Sequence, residues 1–266
     1  MIDGRSIRLF GAFLALTASI FTARSLHAQT DVAQRLAPKG ELRAAVVVSD
    51  SVLVSRNRQG QVSGVLVDIA NALAAKLGVP LHLVPYENVV RYNQSIGKDE
   101  WDVALALRDI SRIERLGFSA TLLEIDNSYV TRPGNRLTSV DEVDHSGIKV
   151  AVTEHSTADG FVTRTLRKAQ IIRLPTGIEE AREALAFGRA DVYAGNTQLA
   201  YRIAEQLPGA MVLVSRLNSA QLSFAVPKSN ASVLPALNDF IREARKDGTI
   251  ADAIKRAGVQ GVRPGR

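Results

Sequence analysis

The 266-residue chain contains no cysteine. Disulfides, thiolate metal sites, a cysteine nucleophile and a lipid-bearing cysteine are thereby excluded, and stability must come from a buried core. Aromatic residues make up only 5% of the chain, too few for the stacking platforms that bind single-stranded nucleic acid. The formal charge is +6, but the basic residues are scattered and form no stripe, so no nucleic-acid partner is expected. The four histidines lie far apart with no metal-ligand spacing. A dinucleotide-binding glycine turn and a Walker loop are also missing, so neither metal nor cofactor is expected. Beyond the amino terminus no segment approaches ~20 consecutive apolar residues.

The amino terminus has its own pattern. Arg5 and Arg8 precede an apolar run from Leu9 to Phe21, and Leu26-His27-Ala28 stands where a signal would be cut. Residues 1–28 are therefore expected to be a cleavable signal peptide, with the mature chain starting near Gln29 and exported to the periplasm. With 46% hydrophobic composition, the remainder has enough apolar material for one large or two modest cores.

Elements alternate along that remainder. Leu42 to Val48 reads as a strand, followed by Leu66, Ile69, Ala70, Leu73, Ala74 and Leu77 at helical spacing with Gly78 as the stop. A strand at Leu81 to Pro85, a helix over Val89 to Ile96 and a strand from Trp101 complete one wound α/β unit. A second unit follows Asn127 to Pro133, with strands expected at Ile148 to Val152, Ile171 to Leu174, Asp191 to Ala194 and Met211 to Val214. Its helices are expected over Ile178 to Phe187 and Thr197 to Gln206. Leu222 to Val226 is strand-like, and two amphipathic helices at Ser232 to Ala244 and Ile250 to Ala257 close the chain. Such a closing strand predicts a return to the first unit. The expected lobes are residues 29–128 with 226–266, and 129–225, joined by a two-strand hinge of the kind that closes around ligands.

The stretch Gly97 to Ser119 carries the most chemistry. Its apolar strand ends near Leu107, and Arg112 lies on the segment leaving the strand's carboxyl end. Ligands of open α/β sheets bind at that edge, where a guanidinium offers a planar fork to a carboxylate.

Several segments resemble, in order, the extracellular solute-binding proteins of family 3, the substrate-binding components of polar-amino-acid ABC transporters. They are Gly40-Glu41-Leu42-Arg43, Gly64 to Ala70 through Leu77-Gly78-Val79, Asp102 to Ser119, Val140 to Val152, Ala184 to Asp191, and Ala225-Val226-Pro227-Lys228. The resemblance implies a two-lobed α/β fold of the type II periplasmic binding protein kind. It also implies a monomer that delivers a small carboxylate-bearing solute to a membrane permease. It carries the family's ligand guanidinium onto Arg112, with Arg115 as competitor. The hydroxyls at a second-lobe helix start, where free N–H groups favour a carboxylate, map to Ser156 and Thr157; an ordinary N-cap is the alternative for both.

Two departures bear on the ligand. Where the family's amino-acid binders place an Asp for the ammonium group, this chain has Asn196, and Val65 replaces an aromatic clamp residue. An ammonium would then need Asp50 or Glu154. The expected ligand set is Arg112, Ser156, Thr157, Asn196, Asp50 and Val65, in a protein expected not to be an enzyme. The alternatives are an exported enzyme of the cyclohexadienyl dehydratase kind, for which His155 is the candidate acid or base, and a ligand module for a receptor.

Overall fold

The computed structural model describes residues 32–48, 53–108, 110–154, 156–175, 178–213 and 216–266. The expected signal peptide, Asp50 and His155 lie outside them. In the first half, β1 (Leu42–Val47) is followed by a small hairpin of β2 (Ser55–Arg56) and β3 (Val62–Ser63), then α1 (Val65–Leu77). Gly78 ends α1 in the left-handed conformation, its N–H donating to the Ala74 and Ala75 carbonyls. The chain continues through β4 (Leu81–Tyr86), α2 (Val89–Ser95), β5 (Val103–Leu107) and a short α3 (Ile110–Ile113). These elements match the expected wound unit, because buried parallel strands such as VALAL are apolar on both faces.

Next comes β6 (Leu116–Thr131), a 16-residue strand that sequence reasoning did not anticipate. The second half holds β7 (Lys149–Thr153), α4 (Thr157–Thr165), β8 (Gln170–Leu174), α5 (Ile178–Ala186), β9 (Val192–Asn196) and α6 (Thr197–Gln206). Of the strand expected at Met211 to Val214, the described residues Met211 to Leu213 show an isolated antiparallel bridge from Val212 to Val130, and Val214 lies outside the described residues. β10 (Asn218–Pro227) then returns to the first half, and α7 (Leu234–Lys246), α8 (Thr249–Arg256) and β11 (Val262–Pro264) complete the chain.

The sheet runs β4-β1-β5-β10-β6-β9-β7-β8, with β11 on β6. β1, β4 and β5 are mutually parallel, as are β7, β8 and β9; β6 and β10 pair antiparallel between the two sets. Apolar clusters separate along this sheet. One gathers β1, α1, α7 and α8 with Leu222, Phe224 and Val226 of β10. Two others gather the second-half helices around β7 and β9. The fold is two-lobed α/β with two strands passing between the lobes.

A buried ion pair fixes the amino ends of β1 and β5. Arg43 and Asp102 have side chains only 8% and 4% exposed. Arg43 donates from Nη2 to Asp102 Oδ1 at 2.7 Å and from Nε to Oδ2 at 3.1 Å, while its backbone N–H donates to the same Oδ2 at 3.0 Å. Nη1 reaches the Asp99 carbonyl at 2.6 Å, and Asp99 adopts a positive φ of 55° in the turn that presents it. This fork-to-fork arrangement holds the Arg43 guanidinium even more firmly charged than usual, chiefly through its hydrogen bonds to Asp102.

The tail straps the crossing. Arg263 donates to Glu124, to both Asp126 oxygens at 2.6 Å and to Ser219 at 3.1 Å. Gly261 has φ +69°, and a Cβ there would lie 2.5 Å from Thr197 Cβ, so the tail can pass α6 this closely only as glycine.

Asp102→Ala leaves Arg43 buried without its partner. Unfolding free energy in urea should fall by about 3–5 kcal/mol; an unchanged transition midpoint would show that this pair contributes nothing.

Candidate functional site

The two parallel sets point their carboxyl ends at one another. β5 ends at Leu107, which faces Leu222 of β10, itself opposite Leu123 of β6. From the other side β9 ends at Asn196, opposite Asn127 of β6, which in turn faces Asn218 of β10. The floor between these ends is therefore Leu123 to Asn127 with Asn218 to Leu222, a span of about 13 Å at the usual strand rise. Ligands of α/β sheets bind outside the carboxyl ends of parallel strands, and here two such edges share one floor.

Arg112 borders this zone on the first lobe. It follows the carboxyl end of β5 on α3 and folds back, donating from Nη1 to the Leu107 carbonyl at 3.0 Å and from Nε to Asn93 Oδ1 at 2.9 Å. Its guanidinium carbon stands 5.5 Å from the centre of the Tyr92 ring, a cation–π distance. Among the described residues no carboxylate pairs with Arg112 and its Nη2 has no hydrogen-bond partner. Tyr92 is itself fixed: its ring lies 5.9 Å from Trp101, whose Nε1 donates to Ser95 at 2.8 Å. Burial pushes the Tyr92 phenol up to about 12, with the positive Arg112 acting in the opposite direction. Arg115, the expected competitor, is exposed and donates to the Ile96 carbonyl.

On the second lobe both candidate positions are helix caps. Ser156 precedes α4 and accepts from the Asp159 N–H at 3.1 Å; Asn196 precedes α6 and accepts from the Leu199 N–H at 2.8 Å. The N-cap alternative thus holds for Ser156, and the same chemistry occupies the Asn196 carbonyl oxygen. Thr157 turns to the crossing strand, where its hydroxyl receives Asn127 Nδ2 at 3.4 Å; that amide also donates to Asn218 at 2.8 Å. Asn127 and Asn218 join the two lobes at this level, and neither was singled out from sequence.

Val65 is corrected. As the first residue of α1 it is fully buried in the first-lobe core and presents no surface to a ligand. Glu154 is exposed at the end of β7, and Asp50 falls outside the described residues. Among the described residues no group of three or more His, Asp or Glu is arranged to hold a metal ion.

Comparison with known proteins places this geometry. The family model for bacterial extracellular solute-binding proteins, family 3, matches residues 42–258. Cyclohexadienyl dehydratase from Pseudomonas aeruginosa is 28% identical over 187 residues, covering 68% of this chain and 67% of the enzyme. An ancestral amino acid-binding protein described as a precursor of cyclohexadienyl dehydratase superposes with a TM-score of 0.69 at 22% identity, over 84% of this chain and 97% of its own. A Wolinella succinogenes protein assigned as the binding component of an ABC transporter, solved with lysine, gives a TM-score of 0.71 at 21% identity, over 82% of this chain and 95% of its own. The expectation that the chain is not an enzyme is corrected by the dehydratase match, which positively indicates enzymatic activity. With its model matched over most of the length and its lobes joined by two crossing strands, the chain belongs to the bacterial extracellular solute-binding proteins, family 3.

Proposed function

We propose that the lobes close on a small carboxylate-bearing solute at the shared floor, with Arg112 as the carboxylate anchor. The observation that carries this reading is the braced guanidinium. A backbone carbonyl, an amide and an aromatic ring hold Arg112 in place, while no described carboxylate neutralises it. Such a group is preorganised for an anion, and its ordering cost is met before the ligand arrives. Ser156 and Asn196 contribute by ordering the helix starts that face the ligand, and Thr157 by tying α4 to the crossing strand. In this reading the protein is exported to the periplasm behind a signal peptide over residues 1–28 and delivers its solute as a monomer to an ABC transporter permease. The first crossing is placed near 128/129. The packing of Leu222, Phe224 and Val226 into the first core supports setting the second near Asn218, earlier than the 225/226 boundary expected from sequence.

The similarity to cyclohexadienyl dehydratase favours a second reading on the same site, in which the bound carboxylate is also the substrate of an elimination. Both readings need the same anchor, and they differ in whether product forms.

Thermal shift and calorimetric titration of the purified protein against amino acids, non-amino carboxylates, prephenate and arogenate test both. A ligand of the folded form raises the melting midpoint. Arg112→Ala should weaken that ligand at least tenfold, as expected for losing a charge-assisted partner at ~2–5 kcal/mol; retained affinity sinks the assignment. Product from prephenate or arogenate selects the dehydratase reading, and binding without turnover selects transport. Asn196→Asp retains the cap, so stability should hold while ammonium-bearing ligands gain affinity; an unchanged ranking would place Asn196 outside the site.

The Arg112 charge also has a ligand-free signature. Since it opposes the burial that raises Tyr92, Arg112→Met should raise the Tyr92 phenol further in a spectrophotometric titration. A downward or absent shift would remove the guanidinium from that ring.

A further inference from the structure

A second arginine stands at the edge that Arg112 borders. Arg108 is the first residue past β5, and its backbone N–H donates to the Gln221 carbonyl at 2.8 Å, carrying the β5–β10 ladder one step onto the floor. The residue is exposed. Its Nη2 donates to the Ser119 carbonyl of β6 at 2.9 Å, and its guanidinium carbon stands 5.8 Å from the centre of the Phe118 ring. In the strand order β5-β10-β6, that reach lays the side chain across β10, on the first-lobe side of the floor. Among the described residues no carboxylate pairs with Arg108, and its Nε and Nη1 have no hydrogen-bond partner. The acids of the floor strand, Glu124 and Asp126, pair with Arg263.

Both arginines belong to one face of the sheet. Strand alternation puts Arg108 with Ala106 and Ala104, and those two alanines pack in the cluster that holds Tyr92 and against which Phe118 rests. Arg112 stands over Tyr92 and Arg108 over Phe118. The two are also tied to one peptide unit. Arg112 donates to the Leu107 carbonyl, and the nitrogen of that same peptide bond is the Arg108 N–H held by β10. Each guanidinium is thus braced by a carbonyl and an aromatic ring, which orient it and leave its unit charge in place. Gln221, opposite Arg108 on this face, is exposed, so the surface beside Arg108 is open to a solute.

We propose that Arg108 and Arg112 act as a pair and that the solute is a dicarboxylate, with Arg108 taking the second carboxylate. This deepens the carboxylate-binding reading and rests on it. Two cations held at one strand end repel each other, and a monoanion compensates only one of them. A diacid compensates both, each through charge-assisted hydrogen bonds from a planar fork. A carboxamide in place of the second carboxylate keeps the shape and loses the charge. Arg108 is then a specificity-determining residue.

The test titrates matched isosteres calorimetrically into the full mature chain: succinate against succinamate, and L-glutamate against L-glutamine, with wild type, Arg108→Gln and Arg112→Ala. Wild type should prefer the diacid in at least one pair, by roughly tenfold. Arg108→Gln should erase that preference with the ligand-free melting midpoint unchanged, because the residue is exposed and no described acid depends on it. Arg112→Ala should weaken both members of the preferred pair. A diacid preference that survives Arg108→Gln, or wild type that binds the monoamides as well as the diacids, overturns the proposal and leaves the Arg112 reading standing. Where only a larger dicarboxylate such as prephenate binds, Arg108→Gln should weaken it at least tenfold, and retained affinity overturns the proposal in the same way. A panel on which only monocarboxylates bind does so too. Failure of wild type to bind any carboxylate of the panel overturns the Arg112 reading and this proposal together.

Discussion

Antiparallel pairing of β6 with β10 is the constraint on which the rest of the molecule depends. These strands lie between two parallel sets, and antiparallel registry fixes where each set stops. Because Leu107 is locked to Leu222 and Asn196 to Asn127, the carboxyl edges of both lobes face one short stretch of strand. The residues proposed for binding gather there: the arginine after β5, the capped starts of α4 and α6, and the amides of Asn127 and Asn218. Asp126 and its neighbours at the crossing are tied to the tail and to α6. The Asp126 N–H donates to the Gly261 carbonyl at 2.7 Å, and Thr197 donates to the Asp126 carbonyl at 3.0 Å. Arg263 pairs with both Glu124 and Asp126, and Arg216 stands 3.8 Å from Asp126, so the two acids of the crossing strand face two guanidinium groups.

Rigidity is distributed unevenly around this crossing. The Arg43–Asp102 fork and the Tyr92–Trp101 stack stiffen the first lobe below Arg112, so the guanidinium is presented from a fixed platform. The second lobe meets the crossing through the β6–β9 ladder and short polar contacts such as Ser128 to the Leu213 carbonyl at 2.7 Å, with the longer 3.4 Å approach of Asn127 to Thr157 at the start of α4. Two strands linking separately packed cores suit hinge closure, and the groups expected to move are helix starts whose caps travel with them.

Much of this was legible in the sequence, for identifiable reasons. Strands such as Leu42–Val47 and Val103–Leu107 are buried on both faces, and α1 keeps a clean helical stripe ended by Gly78. The placement of Arg112 followed from the strand that precedes it. β6 was missed because it serves two cores in turn. Leu122, Leu123 and Ile125 pack in the first lobe and Tyr129 and Val130 in the second, with register shifts near Leu222 and Ser223 of its partner; its alternation never settles into one pattern. Val65 misled because a helix's first residue was assigned to the cleft when its side chain points into the core.

Hydrogen exchange of the full chain, with and without a saturating ligand from the carboxylate panel, tests the central claim most directly. Capture at the shared floor predicts added protection at Leu107 to Arg112, Leu123 to Asn127, Asn196 to Ala200 and Asn218 to Leu222, on both lobes at once. The shallow notch of about 280 Å³ lined by Tyr86, Arg91, Gln94, Lys98 and Glu100 on the first lobe should stay unprotected. Protection confined to that notch, or to one lobe without the crossing strands, would contradict the account.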